Sequence, residues 1–450
     1  MTPEIIEKYN VASPRYTSYP TILDWNRPDF ALNEFESELK SSFKLLDENK
    51  VSVYVHLPFC ESLCTFCGCH KHITKNHKVE EPYIDALIKE WDNYQSTFGQ
   101  ELIVEELHLG GGTPTFFQAE QLERLIKHIT KNRTSEVAYS FEGHPNHTSV
   151  EQLEKLYELG FRRVSFGVQD YNEKVQIAIN RVQPFEKVKE VTEIARKIGY
   201  ESISHDLVFG LPFQTKEAMK DSISKTISLK PDTISLYSYA HVPWVKGTGQ
   251  RGFSDDDIPN GDEKRALYEL AKIALLEEGY LEIGMDHFGL PNEPMTIAME
   301  QNKLNRNFMG YTTAKTDFLI GLGVSAISEF PFGYAQNVKS VKEYHEKIDR
   351  NELPIFKGHV HSVVDKSLKK HIKSLMCNFE TSYCPSSFIG KNEVKFLPKF
   401  KEFESDGILH WEKGKLRITK EGRPFVRNVC MTIDPYCSSK QDKPRFSKSI

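Results

Sequence analysis

Between residues 50 and 240 short apolar runs alternate with segments whose apolar residues recur at helical spacing. The runs at 51–57, 102–109, 137–141, 163–168, 202–209 and 233–237 are rich in β-branched and aromatic residues. Each ends near Gly, Pro or a polar side chain, so each predicts a strand. In the intervals Leu122, Leu125, Ile126 and Ile129 share one helical face, as do Val188, Val191, Ile194 and Ile198. Gly160 and Gly199 stand where a helix C-cap precedes the next strand. Strand–helix units at this spacing predict an α/β fold with a parallel sheet and right-handed crossovers. Six of them make a partial β/α barrel, with functional residues at the C-terminal strand ends.

The flanks follow other patterns. Residues 1–47 form an N-terminal arm whose Pro14-Arg15-Tyr16-Thr17-Ser18-Tyr19-Pro20 segment is too proline-broken for a long helix. That segment also looks too polar for a core, so it is expected to fold over the mouth of the active site. Past residue 260 a helix at 262–278 leads to a strand at 281–286 and another near 322–328. Residues 48–360 are assigned to the barrel and 361–450 to a mainly helical C-terminal domain with a strand pair near 408–418.

Composition narrows the functional classes. Apolar residues make up 39% and charged residues 27% of the 450, the balance of an ordinary globular protein. A formal net charge of −5 provides no global basic field, so neither nucleic acid nor an acidic membrane surface is expected as a partner. The first residues lack an apolar signal core, and no run approaches the roughly 18 apolar residues of a membrane span. The reading is cytoplasmic, where thiols stay reduced. Cys60, Cys64, Cys67 and Cys69 fall within ten residues, which points to metal, whereas Cys377, Cys384, Cys430 and Cys437 read as buried or idle thiols.

Cys60-x3-Cys64-x2-Cys67 follows directly on the first strand. Three thiolates on one short loop can hold three irons of a cubane cluster, and the fourth iron is left open for an exogenous ligand. A structural zinc loop is the alternative, but such sites use paired Cys knuckles held far apart in sequence.

Cys60-Glu61-Ser62-Leu63-Cys64-Thr65-Phe66-Cys67 matches the radical S-adenosylmethionine signature. Extended to Tyr54-Val55-His56-Leu57-Pro58-Phe59 before it and Gly68-Cys69 after it, the segment resembles the oxygen-independent coproporphyrinogen III oxidases (coproporphyrinogen dehydrogenases) of haem biosynthesis. The likeness continues through Gly110–Thr115, Gly167–Asp170, Asp206–Pro212, Gly284–Phe288, Arg306–Phe308, Gly323–Ser328 and Gly422–Met431, almost end to end. Two segments depart from the family pattern: Gly143-His144-Pro145 replaces Val-Asp-Pro, and Asn305-Arg306-Asn307-Phe308-Met309 replaces His-Arg-Asn-Phe-Gln.

The resemblance implies a 4Fe–4S cluster on Cys60, Cys64 and Cys67, with Cys69 outside the ligand set. It also implies two molecules of S-adenosylmethionine. One chelates the cluster near Tyr54, Gly111 and Glu142. The other is held by Phe66, Gln169, Arg181 and Asp206, with Arg181 as a carboxylate clamp. Gly112 and Thr113 join Gly111 around the cofactor's amino group, and Ala240 and Ile327 line the cofactor. Taken alone, Gly110–Gly112 are a tight turn, and Glu142, Gln169 or Asp206 could each cap the next helix. The implied reaction converts two propionates of coproporphyrinogen III to vinyls through a 5′-deoxyadenosyl radical, giving protoporphyrinogen IX. Arg15 and Arg306 are candidates to meet the propionates, and no catalytic side chain is assigned. A reduced donor such as flavodoxin or ferredoxin and a monomeric state are expected. The alternative is a related haem chaperone without this activity, whose members generally lack the arm and carry an aromatic residue where Cys69 stands.

Overall fold

The computed structural model describes residues 2–25, 32–44, 48–245, 249–250, 252–313, 316–437 and 445–450. Six parallel strands form its centre: Lys50–Leu57, Ile103–Gly111, Arg133–Gly143, Phe161–Gln169, Ser202–Phe209 and Thr233–Ser238. They are hydrogen-bonded in chain order. Helices Glu80–Phe98, Ala119–Ile129, Val150–Glu158, Phe185–Ile198 and Lys216–Ser228 form the crossovers. Gly199 ends its helix at φ +116°, a conformation that only glycine adopts cheaply.

The sheet continues beyond both ends of this set, from Ile355–Val360 at one edge to Leu281–Ile283 at the other. The six units are therefore a partial barrel within a longer mixed sheet. Leu319–Leu322 lies parallel to the first strand, and Ile327–Phe330, Gly333–Asn337 and Ile355–Val360 follow antiparallel. Two segments expected as single strands instead hold a turn between two strands, Leu319–Leu322 and Ile327–Phe330 in one case and Leu281–Ile283 and His287–Gly289 in the other. The run at 322–328 reverses at Gly323 (φ +96°) and Ser325 (φ +61°), and the run at 281–286 reverses at Gly284 (φ +58°). Apolar residues on both sides of each turn are buried, among them Ile283 and Phe288, and Leu322 and Phe330, so hydrophobicity continues across a turn that only the backbone reveals.

The principal core lies between the sheet and its helices, with Trp91, Tyr94, Leu107, Phe141 and Phe161 almost fully buried. A second core fills the C-terminal region. Helices Val363–Asn378, Glu393–Ser405 and Val426–Ile433 pack there on a three-stranded sheet of Glu380–Ser382, Lys415–Ile418 and Leu409–Glu412.

The described residues among the first 47 are divided between these cores. Helix Leu32–Phe43 inserts Phe35, Leu39 and Phe43 into the first, and Ile6, Tyr9, Tyr16 and Tyr19 enter the second. The proline-rich segment expected outside the core is thus partly inside it. Its aromatic rings supply buried area, while the Tyr16 hydroxyl keeps a partner in Asp434 Oδ2 at 3.0 Å. Burial of one large apolar side chain contributes roughly 1.5–3 kcal/mol, enough to seat the segment firmly. Residues 11–13 are laced to 447–449: Ser13 N–H donates to the Ser447 carbonyl (3.0 Å) and Ser449 N–H to the Val11 carbonyl (2.8 Å). Among the described residues no helix is long and apolar enough to cross a membrane.

Candidate cluster and cofactor site

The loop carrying Cys60, Cys64 and Cys67 leaves the C-terminal end of the first strand and is clamped on two sides. Gly112 N–H donates to the Leu57 carbonyl at 2.8 Å, and His72 N–H donates to the Pro58 carbonyl at 2.8 Å. On the far side Thr65 N–H meets the Ile179 carbonyl (3.0 Å) and Asn180 Nδ2 meets the Leu63 carbonyl (2.8 Å). The thiol loop is thereby tied to the segment that presents Arg181.

The glycines after the second strand are required by this packing. A Cβ on Gly112 would lie 2.4 Å from the Pro58 carbonyl oxygen, and one on Gly111 (φ +114°) would lie 2.7 Å from the His56 ring. The missing side chains let the thiol loop pack directly against this turn. Gly167 serves the same purpose for side chains, since its Cβ would strike Gln169 Nε2 at 2.6 Å and Arg181 Nη2 at 2.8 Å.

Cys60, Cys64, Cys67, Phe66, Gly111, Gly112, Thr113, Glu142, Gln169, Arg181 and Asp206 all line one cavity of about 160 Å³ at the C-terminal ends of the strands. Glu142, Ser165 and Asp206 also wall a second space of about 140 Å³ within the barrel. Gln169 reaches the cavity from a left-handed backbone (φ +67°) at an irregularity in the pairing of the fourth and fifth strands. Asp206 Oδ2 accepts from Ser165 Oγ at 2.8 Å, and burial pushes its carboxyl above the ordinary range. Tyr54 does not line the cavity but flanks Gly110 together with Glu142. Its hydroxyl bonds His56 Nδ1 at 3.1 Å, and His56 Nε2 reaches the His70 carbonyl at 2.9 Å. Burial lowers His56 to about 4, so the ring is neutral, with its proton on Nε2.

Ala240 and Ile327 are not brought to this cavity. Ala240 offers its carbonyl to Gln250, and Ile327 pairs with Gln336, its carbonyl pressed against Gly321 beside Tyr54. Residues that sequence reasoning passed over do line it, among them Lys71, Ser165 and His147. His144, at a departure from the family pattern, lines it too, and its neighbour Gly143 is needed because a Cβ there would lie 2.9 Å from the Phe166 ring. Nothing in their local sequence marks them. Strand register places Ser165, and the path of the loops places Lys71, His144 and His147.

The thiols are free. Burial pushes Cys60 up to about 11 and raises Cys64, against which Arg181 acts to lower it. Cys67 is lowered to about 6, chiefly by hydrogen bonding from Cys69. Arg181 donates from Nη2 to the Gly167 carbonyl at 2.6 Å and approaches Cys64 Sγ at 3.9 Å, while its buried Nε has no partner.

The radical SAM superfamily model matches residues 54–225, which hold the thiol loop and the strand ends just described. Over 99% of its length the chain is 36% identical to the oxygen-independent coproporphyrinogen III oxidase of Escherichia coli K12, covering 98% of that protein. It is also 36% identical to the protein of the same name from Helicobacter pylori 26695, with 99% of each chain covered. The solved coproporphyrinogen III oxidase (HemN) of Escherichia coli, a radical SAM enzyme, superposes with a TM-score of 0.88 at 34% identity, covering 97% of this chain and 99% of that one. The chain belongs to the oxygen-independent coproporphyrinogen III oxidase family.

Members of this radical SAM family use a 4Fe–4S cluster and S-adenosylmethionine, and the chemistry of the residues lining the cavity suits both. Among the described residues no three His, Cys, Asp or Glu side chains converge on a single metal position. A cubane asks for something else, one thiolate at each of three separate irons. The unpartnered Arg181 Nε and the acceptors of Glu142 and Asp206 give an amino-acid zwitterion and hydroxyls their complements.

Proposed function

We propose that this chain catalyses the oxygen-independent oxidative decarboxylation of two propionates of coproporphyrinogen III to vinyls, the activity its relatives are named for. The observation that carries the reading is the convergence of Cys60, Cys64 and Cys67 with Glu142, Gln169, Arg181 and Asp206 on one cavity at the barrel mouth. When bound, the cluster and S-adenosylmethionine supply the electron and the carbon-centred radical that removes hydrogen from a propionate.

The chain's own residues bind, orient and exclude. Cys60, Cys64 and Cys67 hold the cluster as thiolates, exchanging their protons for iron. Arg181 turns a planar fork toward a cofactor carboxylate, with Gln169, Asp206 and Phe66 around the same molecule. Glu142, Gly111, Gly112 and Thr113, backed by Tyr54, would surround a first molecule, giving one cofactor for each of two propionates. Ala240 and Ile327, outside the cavity described above, are proposed to line the cofactor. Across the mouth, Arg15 donates to the Ser238 carbonyl at 2.7 Å at the end of the sixth strand, and Arg306 lies 4.4 Å over the Tyr311 ring. Both sit near Asp286, and both are placed to meet carboxylates. The arm formed by residues 1–47 closes this side of the site, ahead of a barrel at 48–360 and a C-terminal domain at 361–450. A reduced flavodoxin or ferredoxin is the electron donor, and the enzyme works as a cytoplasmic monomer with no nucleic-acid or membrane partner, in keeping with its net charge of −5.

The test is an anaerobic assay of coproporphyrinogen III with S-adenosylmethionine and a strong reductant, scored by vinyl product. Protoporphyrinogen IX with matching loss of cofactor supports the reading. Tight haem binding without vinyl product would favour the haem-chaperone alternative.

A further inference from the structure

Helix Val363–Asn378 places Lys366, Lys369, Lys370 and Lys373 at i, i+3, i+4 and i+7, a single face. A row of lysines at this spacing is ordinarily a solvated surface. Here all four line a cavity of about 430 Å³ together with Arg306. Against these five cations the wall carries two carboxylates, Asp317 and Glu329. Glu329 is committed to Lys369, with Nζ to Oε1 at 2.9 Å. Among the described residues Lys366, Lys370 and Lys373 form no ion pair.

The cavity also has buried donors without partners. Arg306 is 8% exposed, its Nη2 donates to the Arg15 carbonyl at 3.3 Å, and its Nε is unpaired. His361 is 6% exposed, and neither ring nitrogen has a partner of ordinary geometry, although the Pro331 carbonyl lies close. Buried donors left unpaired cost about 1–3 kcal/mol each, a cost that a bound acceptor would offset.

Position supplies the remaining link. Leu319 lines this cavity and packs in the same small cluster as Tyr54, against which Phe308 and Met309 also pack. Tyr54 and Phe308 meet edge to face at 4.9 Å. One layer of side chains therefore separates the basic cavity from the Tyr54–Glu142 side of the cofactor site.

We propose that this cavity is a carboxylate site that holds the non-reacting propionates of the tetrapyrrole, with Arg306 and His361 at its floor and the Lys366–Lys373 face at its rim. The proposal rests on the function given above and specifies how that substrate is recognised. A concave site with its deepest donors buried suits carboxylates on flexible arms. The acidic face of an electron-donor protein could reach only the rim.

The test uses cluster-reconstituted full-length protein. Binding of coproporphyrin III, with four propionates, is compared with protoporphyrin IX, with two, by anaerobic fluorescence titration. Steady-state turnover of coproporphyrinogen III is measured with a chemical reductant. Lys366→Glu/Lys370→Glu should weaken coproporphyrin binding and raise KM by about tenfold or more, since at least one charge-assisted contact is lost. Protoporphyrin IX keeps the two non-reacting propionates, so its binding should weaken by a similar factor, while iron content and substrate-free cofactor cleavage should be unaltered. The paired Lys→Arg substitution should restore binding. Unchanged coproporphyrin affinity in the Glu variant, with active wild type, overturns the proposal while leaving the function standing. A defect seen with a protein donor but absent with the chemical one also overturns it, and assigns the lysines to donor docking. Wild type that neither binds nor converts the tetrapyrrole would instead remove the function itself.

Discussion

Replacing Arg181 by alanine separates cofactor binding from cluster assembly. The guanidinium spends Nη2 on the Gly167 carbonyl at 2.6 Å and leaves Nε buried and unpaired. A ligand carboxylate would complete a charge-assisted contact of about 1.5–3 kcal/mol, so its loss should weaken the dependent cofactor roughly ten- to 150-fold. The free protein loses an unsatisfied buried donor at the same time, so its melting temperature should hold or rise slightly. Arg181→Lys, which keeps the charge without the fork, should recover part of the binding. Anaerobic equilibrium dialysis of S-adenosylmethionine against reconstituted protein reads both stoichiometry and affinity. Wild type should saturate at two molecules per cluster, and Arg181→Ala should retain one at unchanged affinity. Saturation of wild type at one molecule, with identical behaviour of the variant, refutes the second site. Loss of iron from the variant would instead make Arg181 a support of the cluster.

Cys64→Ser should abolish the iron–sulfide absorption and cofactor cleavage, whereas Cys69→Ser should keep the cluster; equal iron loss in both would overturn the ligand assignment. Gly112→Ala should lower reconstituted iron content, because its Cβ would lie 2.4 Å from the Pro58 carbonyl that positions the thiol loop; normal iron per chain would count against that clamp. Burial raises Glu90 to about 8, although its oxygens accept from Tyr344, Gly323 and Asn337 at 2.6–2.7 Å. Between the ordinary carboxylate range and pH 8 the folded state keeps a proton that the unfolded chain has lost. Stability should therefore fall as pH rises through that window, by at most about 1.4 kcal/mol per unit, and level off above it. Glu90→Gln should flatten the slope in urea unfolding, and an unchanged slope would assign the titration to another group.

The central sheet was legible because its strands are short, apolar and separated by amphipathic helices. Ser202–Phe209 was placed at both ends, and the cysteine spacing alone located the thiol loop. Legibility failed where backbone conformation outweighs side-chain pattern. Gly284 and Gly323 turn within apolar runs, and the left-handed Gln169 leaves no trace in hydrophobicity. It failed differently in the arm. The prolines earlier in the arm drew attention from the helical spacing of Phe35, Leu39 and Phe43, and Tyr16 carries its hydroxyl into the second core, where Asp434 accepts from it. In the site, the polar strand ends of Glu142, Gln169 and Asp206 could be read in one dimension. Ser165, His144 and Lys71 needed the register and the loop path before they joined them.

The lacing of residues 11–13 to 447–449 bears on the order in which the molecule can be assembled. Ser449 Oγ bonds the Tyr9 carbonyl 440 positions away, so this contact closes almost the longest loop in the chain. Contacts at such separation form late, since their closure entropy is repaid only by structure already in place. On the ribosome residues 9–16 wait for a partner strand made more than four hundred residues later. The thiol loop, whose clamps at Gly112 and Ile179 lie within the first half of the chain, can be complete long before then. Arg15 reaches Ser238 from the segment that waits. Iron and sulfide could therefore meet the thiol loop before the contacts between residues 9–13 and 447–449 exist, so that cluster insertion need not wait for the chain to be finished.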